Sequence, residues 1–143
     1  MKNLGNTIEK AVAFLTGEAT CVLYRTEEDM QISREKGIRP LVLWMAEDEN
    51  ALRGAAVADR IVGRAAAFLA VYGGAQAVYG EVMSEGAVSV LKDAGIAYKY
   101  KTLTDTIINR RGDGPCPMEQ AVAGITDSAQ AAAVLRAKVF DGI

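Results

Sequence analysis

The chain has 143 residues, of which 50% are apolar and 24% are charged, and its net charge is −2. This length and composition predict one globular domain spanning residues 1–143. The sequence contains no histidine, which excludes hydrolases that rely on a histidine base and zinc sites with histidine ligands. Two cysteines cannot supply a zinc site of three or four thiolates, so we expect no metal and no cofactor.

The charge balance also bears on partners and location. A protein that depends on nucleic acid normally carries a basic excess, so we expect no nucleic-acid partner. The N-terminus carries Glu9 and Lys10 where a signal peptide needs apolar residues, and the longest weakly polar run, 65–79, is too short and too interrupted to span a bilayer. We therefore expect a cytoplasmic protein without membrane contact, in which Cys21 and Cys116 are reduced thiols.

Hydrophobic periodicity and turn residues divide the chain into alternating helices and strands. In the first half of the chain they predict a helix over 4–15, two strands over 20–24 and 30–33 joined by a turn, a strand over 54–58 and a helix over 59–69. In the second half they predict a strand over 75–79, a helix over 84–94 and a strand over 96–101. An irregular segment over 102–117 then leads into a helix over 117–122, and a last helix is predicted over 128–140. Residues 41–46 stay open between a helix, favoured by Pro40, and a buried strand. Strands separated by helices predict an α/β fold, namely a three-layer α/β/α sandwich with a mixed sheet.

The segment from Asn109 to Gln120 carries the strongest local chemistry. Pro117 suits the first turn of a helix, which places Cys116 near its N-cap. The positive helix end and the neighbouring Arg110 and Arg111 favour the thiolate form, so Cys116 is a candidate nucleophile and the arginines are candidate anion ligands.

Two glycines complete that candidate site. Gly112 and Gly114 would allow backbone N–H groups to face a phosphate or carboxylate. The alternative is a tight loop in which glycine supplies a positive φ, Cys116 is a small packed residue and Glu119 complements the helix dipole.

Asp59 is the second catalytic candidate. Following a short strand, it is predicted at a helix start, where it is placed to act as a general base or a substrate anchor. The alternative is a plain N-cap, a position that aspartate fills well.

The segment from Val78 to Ile96 is similar to the strand, zinc-cysteine turn and helix of cytidine-deaminase-like proteins. In that register Ser84 and Ala87 stand where the two cysteines of the Pro-Cys-x-x-Cys motif would be. Upstream, Val57 replaces the ligand of the His-Ala-Glu motif and Asp59 stands at its glutamate. The resemblance implies a cytidine-deaminase-like fold without the zinc ligands, and therefore without zinc-activated water. It also implies that Ser84 and Glu85 face the same crevice as candidate ligand-binding residues.

The whole chain also resembles a small bacterial and archaeal family of unknown function that is assigned to the cytidine-deaminase-like fold. The matching segments are residues 37–41, 58–66 and 108–119, of which the last is the most specific. This resemblance implies a fold and no activity.

Two functions from different classes follow. The first is a zinc-free protein that binds a small anionic, nucleotide-like ligand between helix starts at Asp59, Ser84 and Cys116, with chemistry that depends on Cys116. The second is a non-catalytic binding module that forms homo-oligomers or docks a partner protein. The sequence does not decide whether the protein is an enzyme.

Overall fold

The structure is a computed structural model that describes residues 4–109, 111, 112, 114 and 116–140. Its elements in chain order are α1 (Leu4–Ala13), β1 (Cys21–Thr26), β2 (Asp29–Ser33), α2 (Arg39–Glu47), β3 (Ala56–Val62), α3 (Arg64–Gly73), β4 (Ala77–Ser84), α4 (Glu85–Asp93), β5 (Ala97–Thr104), α5 (Pro117–Ala121) and α6 (Ser128–Phe140). None of the described helices is long and apolar enough to cross a membrane.

The five strands form one mixed sheet in the order β2-β1-β3-β4-β5. The β1 strand runs antiparallel to both of its neighbours, while β3, β4 and β5 are parallel to one another. Parallel strands need crossover connections, which α3 and α4 provide. The α/β class and the mixed sheet predicted from the sequence are confirmed.

Helices cover both faces of this sheet. On one face, α1 packs over β1, β3 and β4 and shares a buried cluster with them. On the other face, residues of α2, α3, α4 and α6 form the larger buried cluster with alternate residues of the central strands. Successive strand side chains point to opposite faces, so each central strand contributes to both clusters.

Local sequence explains why residues 41–46 form a helix and not a strand. Residues 41–46 lie within α2, with Pro40 in the first turn, where its missing N–H costs no helical hydrogen bond. At the end of α3, Gly74 adopts φ +80°, a left-handed conformation that terminates the helix and that glycine adopts at low cost.

The prediction for residues 54–69 is wrong in its boundary. The strand runs on through Val62, and the helix begins only at Arg64 rather than at Asp59. The β-branched pair Ile61 and Val62 continues the parallel pairing with β4, which overrides the helical pattern. Asp59 is therefore the fourth residue of a buried strand and neither opens a helix nor caps one.

Candidate functional site

Three helix starts meet beyond the carboxyl ends of the parallel strands. The α3 helix begins two residues after β3, and α4 begins directly after β4. The α5 helix reaches the same region through Glu119, which contacts the first residues of α3. Ligands of open α/β sheets bind outside such strand ends, so this is the region in which a site is expected.

The Glu119 carboxylate closes the start of α3. One oxygen accepts a hydrogen bond from the Arg64 N–H and the other from the Ala65 N–H, each at 2.8 Å. The N-cap residue of α3, Gly63, has no side chain to do this. A Cβ on Gly63 would lie 2.5 Å from the Glu119 carboxyl carbon. The carboxylate can therefore occupy this position because residue 63 has no side chain.

Arg64 connects the three helix starts. Its guanidinium donates to the Ile125 carbonyl at 2.8 Å and lies 5.1 Å from the centroid of the Phe68 ring. Its stem passes over Gly86, where a Cβ would lie 2.7 Å from the Arg64 Cγ. Among the described residues, nothing accepts from its buried Nε–H. The side chain is thus fixed in place while part of its hydrogen-bonding capacity is unused.

The Arg64 side chain lies in an open cleft of about 390 Å³ between α3, α4 and the start of α6. This volume is within the range of small-molecule sites. The residues that line it are Arg64, Phe68, Val71, Ser89, Val90, Asp93, Ala94, Thr126, Asp127 and Ser128. It therefore combines one guanidinium, two carboxylates and three hydroxyls with an apolar floor.

Ser84 and Glu85 open α4, as the sequence predicts. Ser84 is buried and its hydroxyl accepts from the Ala87 N–H at 3.1 Å, so it acts as the N-cap. Glu85 is exposed, and a hydrogen bond and the charge of Asp105 raise the pKa of Glu85. Neither residue lines the cleft that contains Arg64.

Asp59 lies in the sheet, opposite Cys21 of β1 and Gly80 of β4. Both side chains are buried, and the Cys21 thiol donates a hydrogen bond to the Asp59 carboxylate. Burial raises the pKa of Asp59 to about 7, although the Ile61 amide, Cys21 and Arg60 act in the opposite direction. Burial and the charge of Asp59 also raise the pKa of the Cys21 thiol.

The loop predicted to bind an anion is described only in part. Arg110 lies outside the described residues, and Arg111 is exposed. Gly112 adopts φ +75°, as expected of a tight turn, and the Gly114 carbonyl accepts from the Asn109 N–H at 2.8 Å. Gly112 thus has the positive φ of the structural alternative and Gly114 does not, and whether the two glycines bind an anion stays a prediction.

Cys116 is the N-cap residue of α5, as predicted, and is partly buried. Its side chain makes no capping hydrogen bond, while its backbone N–H donates to the Ile107 carbonyl at 3.0 Å. Asp59 lies opposite Cys21 and Gly80 within the sheet, and Cys116 is not among the groups that act on its pKa. The structure thus connects α5 to α3 through Glu119 and not through the two predicted catalytic residues.

Metal ligands do not converge in the described part of the chain. No group of three His, Cys, Asp or Glu side chains there is arranged to hold an ion.

Sequence analysis missed Arg64 as a site residue and gave Glu119 only a role within its own helix. Arg64 falls inside the helix that the periodicity predicts from residue 59, five residues before α3 begins. The contact between Glu119 and Arg64 spans 55 positions, a separation at which helical or strand periodicity carries no signal. The only local hint is Gly63, a glycine that with Arg64 directly precedes a run of three alanines.

Comparison with known proteins decides the family. The model of a family described as TM1506, a domain of unknown function (DUF1893), matches residues 10–139. The chain belongs to the DUF1893 family.

The fold of this DUF1893 protein is also found in a solved structure. It is similar to the crystal structure of a DUF1893 family protein from Thermotoga maritima at 2.70 Å resolution, with a TM-score of 0.81 and 22% sequence identity over 96% of this chain and 91% of that one. At this identity the likeness shows a shared fold alone. A search of curated proteins found no match. The predicted membership of a family of unknown function is confirmed.

Proposed function

We propose that this DUF1893 protein binds a small organic ligand through an anionic group, with Arg64 as the anchor in the cleft between α3, α4 and α6. The observation that carries the proposal is an ordered guanidinium in the lining of an open cleft of about 390 Å³ that also offers hydroxyl groups and an apolar surface.

The setting of Arg64 supports this role. The Ile125 carbonyl and the Phe68 ring fix the plane of the guanidinium before any ligand arrives. A planar fork of N–H groups matches a carboxylate or phosphate with two parallel hydrogen bonds. Little side-chain entropy is then lost on binding, since the arginine is already ordered.

We further propose that the sheet and its helices form a cytidine-deaminase-like three-layer sandwich that carries no zinc. In support, Ser84 stands at the start of α4, where the resemblance implies the first cysteine. Val57 and Asp59, which the resemblance aligns with the ligand and the proton shuttle, lie within β3, and the start of α3 carries Gly63 and Arg64. A guanidinium does not coordinate a metal cation, so this donor set does not fit zinc.

The proposal has a second, independent part, namely chemistry that depends on Cys116. Its thiol is partly exposed at the start of α5, and Arg111 lies in the same loop. Asp59, with a pKa of about 7, has the proton affinity of a general acid or base near neutral pH. It is only 5% exposed, however, which favours a role inside the sheet over direct contact with a ligand.

A second candidate function is a non-catalytic module that assembles into homo-oligomers. The β5 strand favours it, because it is a sheet edge of eight residues with Tyr100 and Leu103 exposed on it. Such an edge can pair with another strand. The lysines at positions 99 and 101 oppose that pairing, which is why the ligand-binding proposal comes first.

The proposal is tested by NMR titration of the full chain with two probes, hexanoate and inorganic phosphate. We expect at least one of them to shift the amide resonances of Phe68, Ser89 and Ser128. Arg64→Gln should abolish the shifts, because the charged fork is lost. Gly86→Ala should weaken them, because the new Cβ displaces the Arg64 stem.

Gly124→Ala is the matched control, because a Cβ at Gly124 meets no atom within 4 Å. It should leave the titration unchanged. Shifts of equal size in wild type and Arg64→Gln, or no shift with either probe, would contradict the proposal.

A further inference from the structure

The charges that line the Arg64 cleft favour a ligand with both charges over a simple anion. The lining contains one guanidinium and two carboxylates, those of Asp93 and Asp127. The carboxylates repel a polyanion such as a nucleotide and so offset part of its attraction to Arg64. The composition of the lining therefore calls for a ligand that carries positive as well as negative charge.

The two carboxylates differ in their hydrogen-bond partners. Asp127 precedes α6 and its Oδ2 accepts from the Gln130 N–H at 3.0 Å, so its charge complements the N-terminal end of that helix. Asp93 is the exposed last residue of α4, and no described side chain or backbone N–H is paired with its carboxylate. At a helix C-terminus the macrodipole disfavours a carboxylate, so Asp93 gains nothing from its own helix.

Arg64 and Asp93 stand at opposite ends of the cleft. The helices α3 and α4 follow parallel strands and therefore run in the same direction. Arg64 is the first residue of α3, and Asp93 is the last of α4, which is nine residues long. The two residues are thus separated by on the order of 10 Å along the helix axes. Phe68, Val71 and Val90 line the space between them with apolar groups.

We propose that the cleft binds a short linear zwitterion, with a carboxylate at Arg64, an ammonium group at Asp93 and a methylene chain over Phe68, Val71 and Val90. This inference rests on the proposed function, since it names the ligand class of the same site. Each charged end forms a charge-assisted hydrogen bond, and the chain buries apolar surface between them.

The test is calorimetric titration of the full chain with three six-carbon probes that differ only in their ends: 6-aminohexanoate, hexanoate and hexylammonium. We expect 6-aminohexanoate to bind at least about tenfold more tightly than either singly charged probe, because it alone engages both ends. Asp93→Asn should remove that advantage without lowering the affinity for hexanoate. Asp48→Asn, which changes an exposed carboxylate after α2, is the matched control and should alter neither affinity.

The outcomes separate the two proposals. Hexanoate that binds as tightly as 6-aminohexanoate, and does so through Arg64, would overturn the zwitterion and leave the anion anchor intact. Equal affinities of all three probes for wild type and Arg64→Gln would overturn both. Retention of the full 6-aminohexanoate affinity by Asp93→Asn would also overturn the zwitterion.

Discussion

The Glu119 carboxylate lies in the space that a Cβ at Gly63 would occupy, 2.5 Å from its carboxyl carbon. It closes the start of α3 with two hydrogen bonds of 2.8 Å. A helix start needs partners for its first N–H groups, and here a residue 55 positions away supplies them. The short α5 is thereby tied to α3, a helix of the larger buried cluster.

This contact predicts the stability of Gly63→Ala. The new methyl group must displace Glu119, which breaks two charge-assisted hydrogen bonds, so we expect the free energy of unfolding to fall by on the order of 2 kcal/mol. The measurement is urea denaturation of the wild type and the variant. Gly124→Ala, where space is open, should change stability little.

A double-mutant cycle with Glu119→Ala tests the cause. Once the carboxylate is absent, Gly63→Ala should cost much less than it does in the wild type. An equal cost in both backgrounds would show that Gly63 acts through something other than its contact with Glu119.

Because Asp59 is buried, we expect the free energy of unfolding to depend on pH. Burial raises the pKa of Asp59 from 3.8 to about 7 in the folded state, so between these values the folded protein binds a proton that the unfolded chain does not. The free energy of unfolding therefore falls as pH rises from about 4 to about 7, by up to roughly 1.4 kcal/mol per pH unit from this group. Above pH 7 this contribution levels off.

Asp59→Asn isolates that contribution, because asparagine resembles the protonated carboxyl. We expect the variant to be more stable than the wild type at pH 8 and to differ little from it at pH 4. Denaturation from pH 4 to pH 8 avoids ionisation of the Cys21 thiol, whose pKa is raised by burial. Parallel pH profiles for wild type and variant would contradict the assignment.

We expect the two cysteines to differ in their rate of reaction with an alkylating reagent. Cys116 is partly exposed, while Cys21 is 0% exposed within β1. In the folded protein we expect Cys116 to be modified and Cys21 to be protected until the sheet opens, as followed by mass spectrometry of peptides. Fast reaction of Cys116 at pH 6 would support the nucleophile that the sequence predicts, whereas a rate that rises only near pH 8.5, as for a free thiol, would count against it.

The fold could be predicted to the level of class and element order. The helix over 128–140 and the N-cap Ser84 are confirmed, because periodicity and capping are local properties of the sequence. The strand that contains Asp59 was predicted too short, because an aspartate after a run of small residues is typical of a helix start. Only the pairing with Cys21 and Gly80 explains how a carboxyl is accommodated inside the sheet.

The candidate site could be predicted less well than the fold. Cys116 at the start of α5 follows from Pro117, which is its neighbour in sequence. The roles of Arg64 and Glu119 depend on where α3 begins and on a contact between distant segments. A cleft formed between three helices is a property of the packing, and no single stretch of sequence contains it.

The most direct test of the Arg64 anchor is the side-chain Nε–H resonance of Arg64 in a ¹H–¹⁵N spectrum, recorded while hexanoate or inorganic phosphate is added. We predict a saturable shift of this resonance for at least one of the two anions, with sodium chloride at equal ionic strength producing none. An Arg64 Nε–H resonance that stays in place with both anions would contradict the account and would move the assembly module ahead of it.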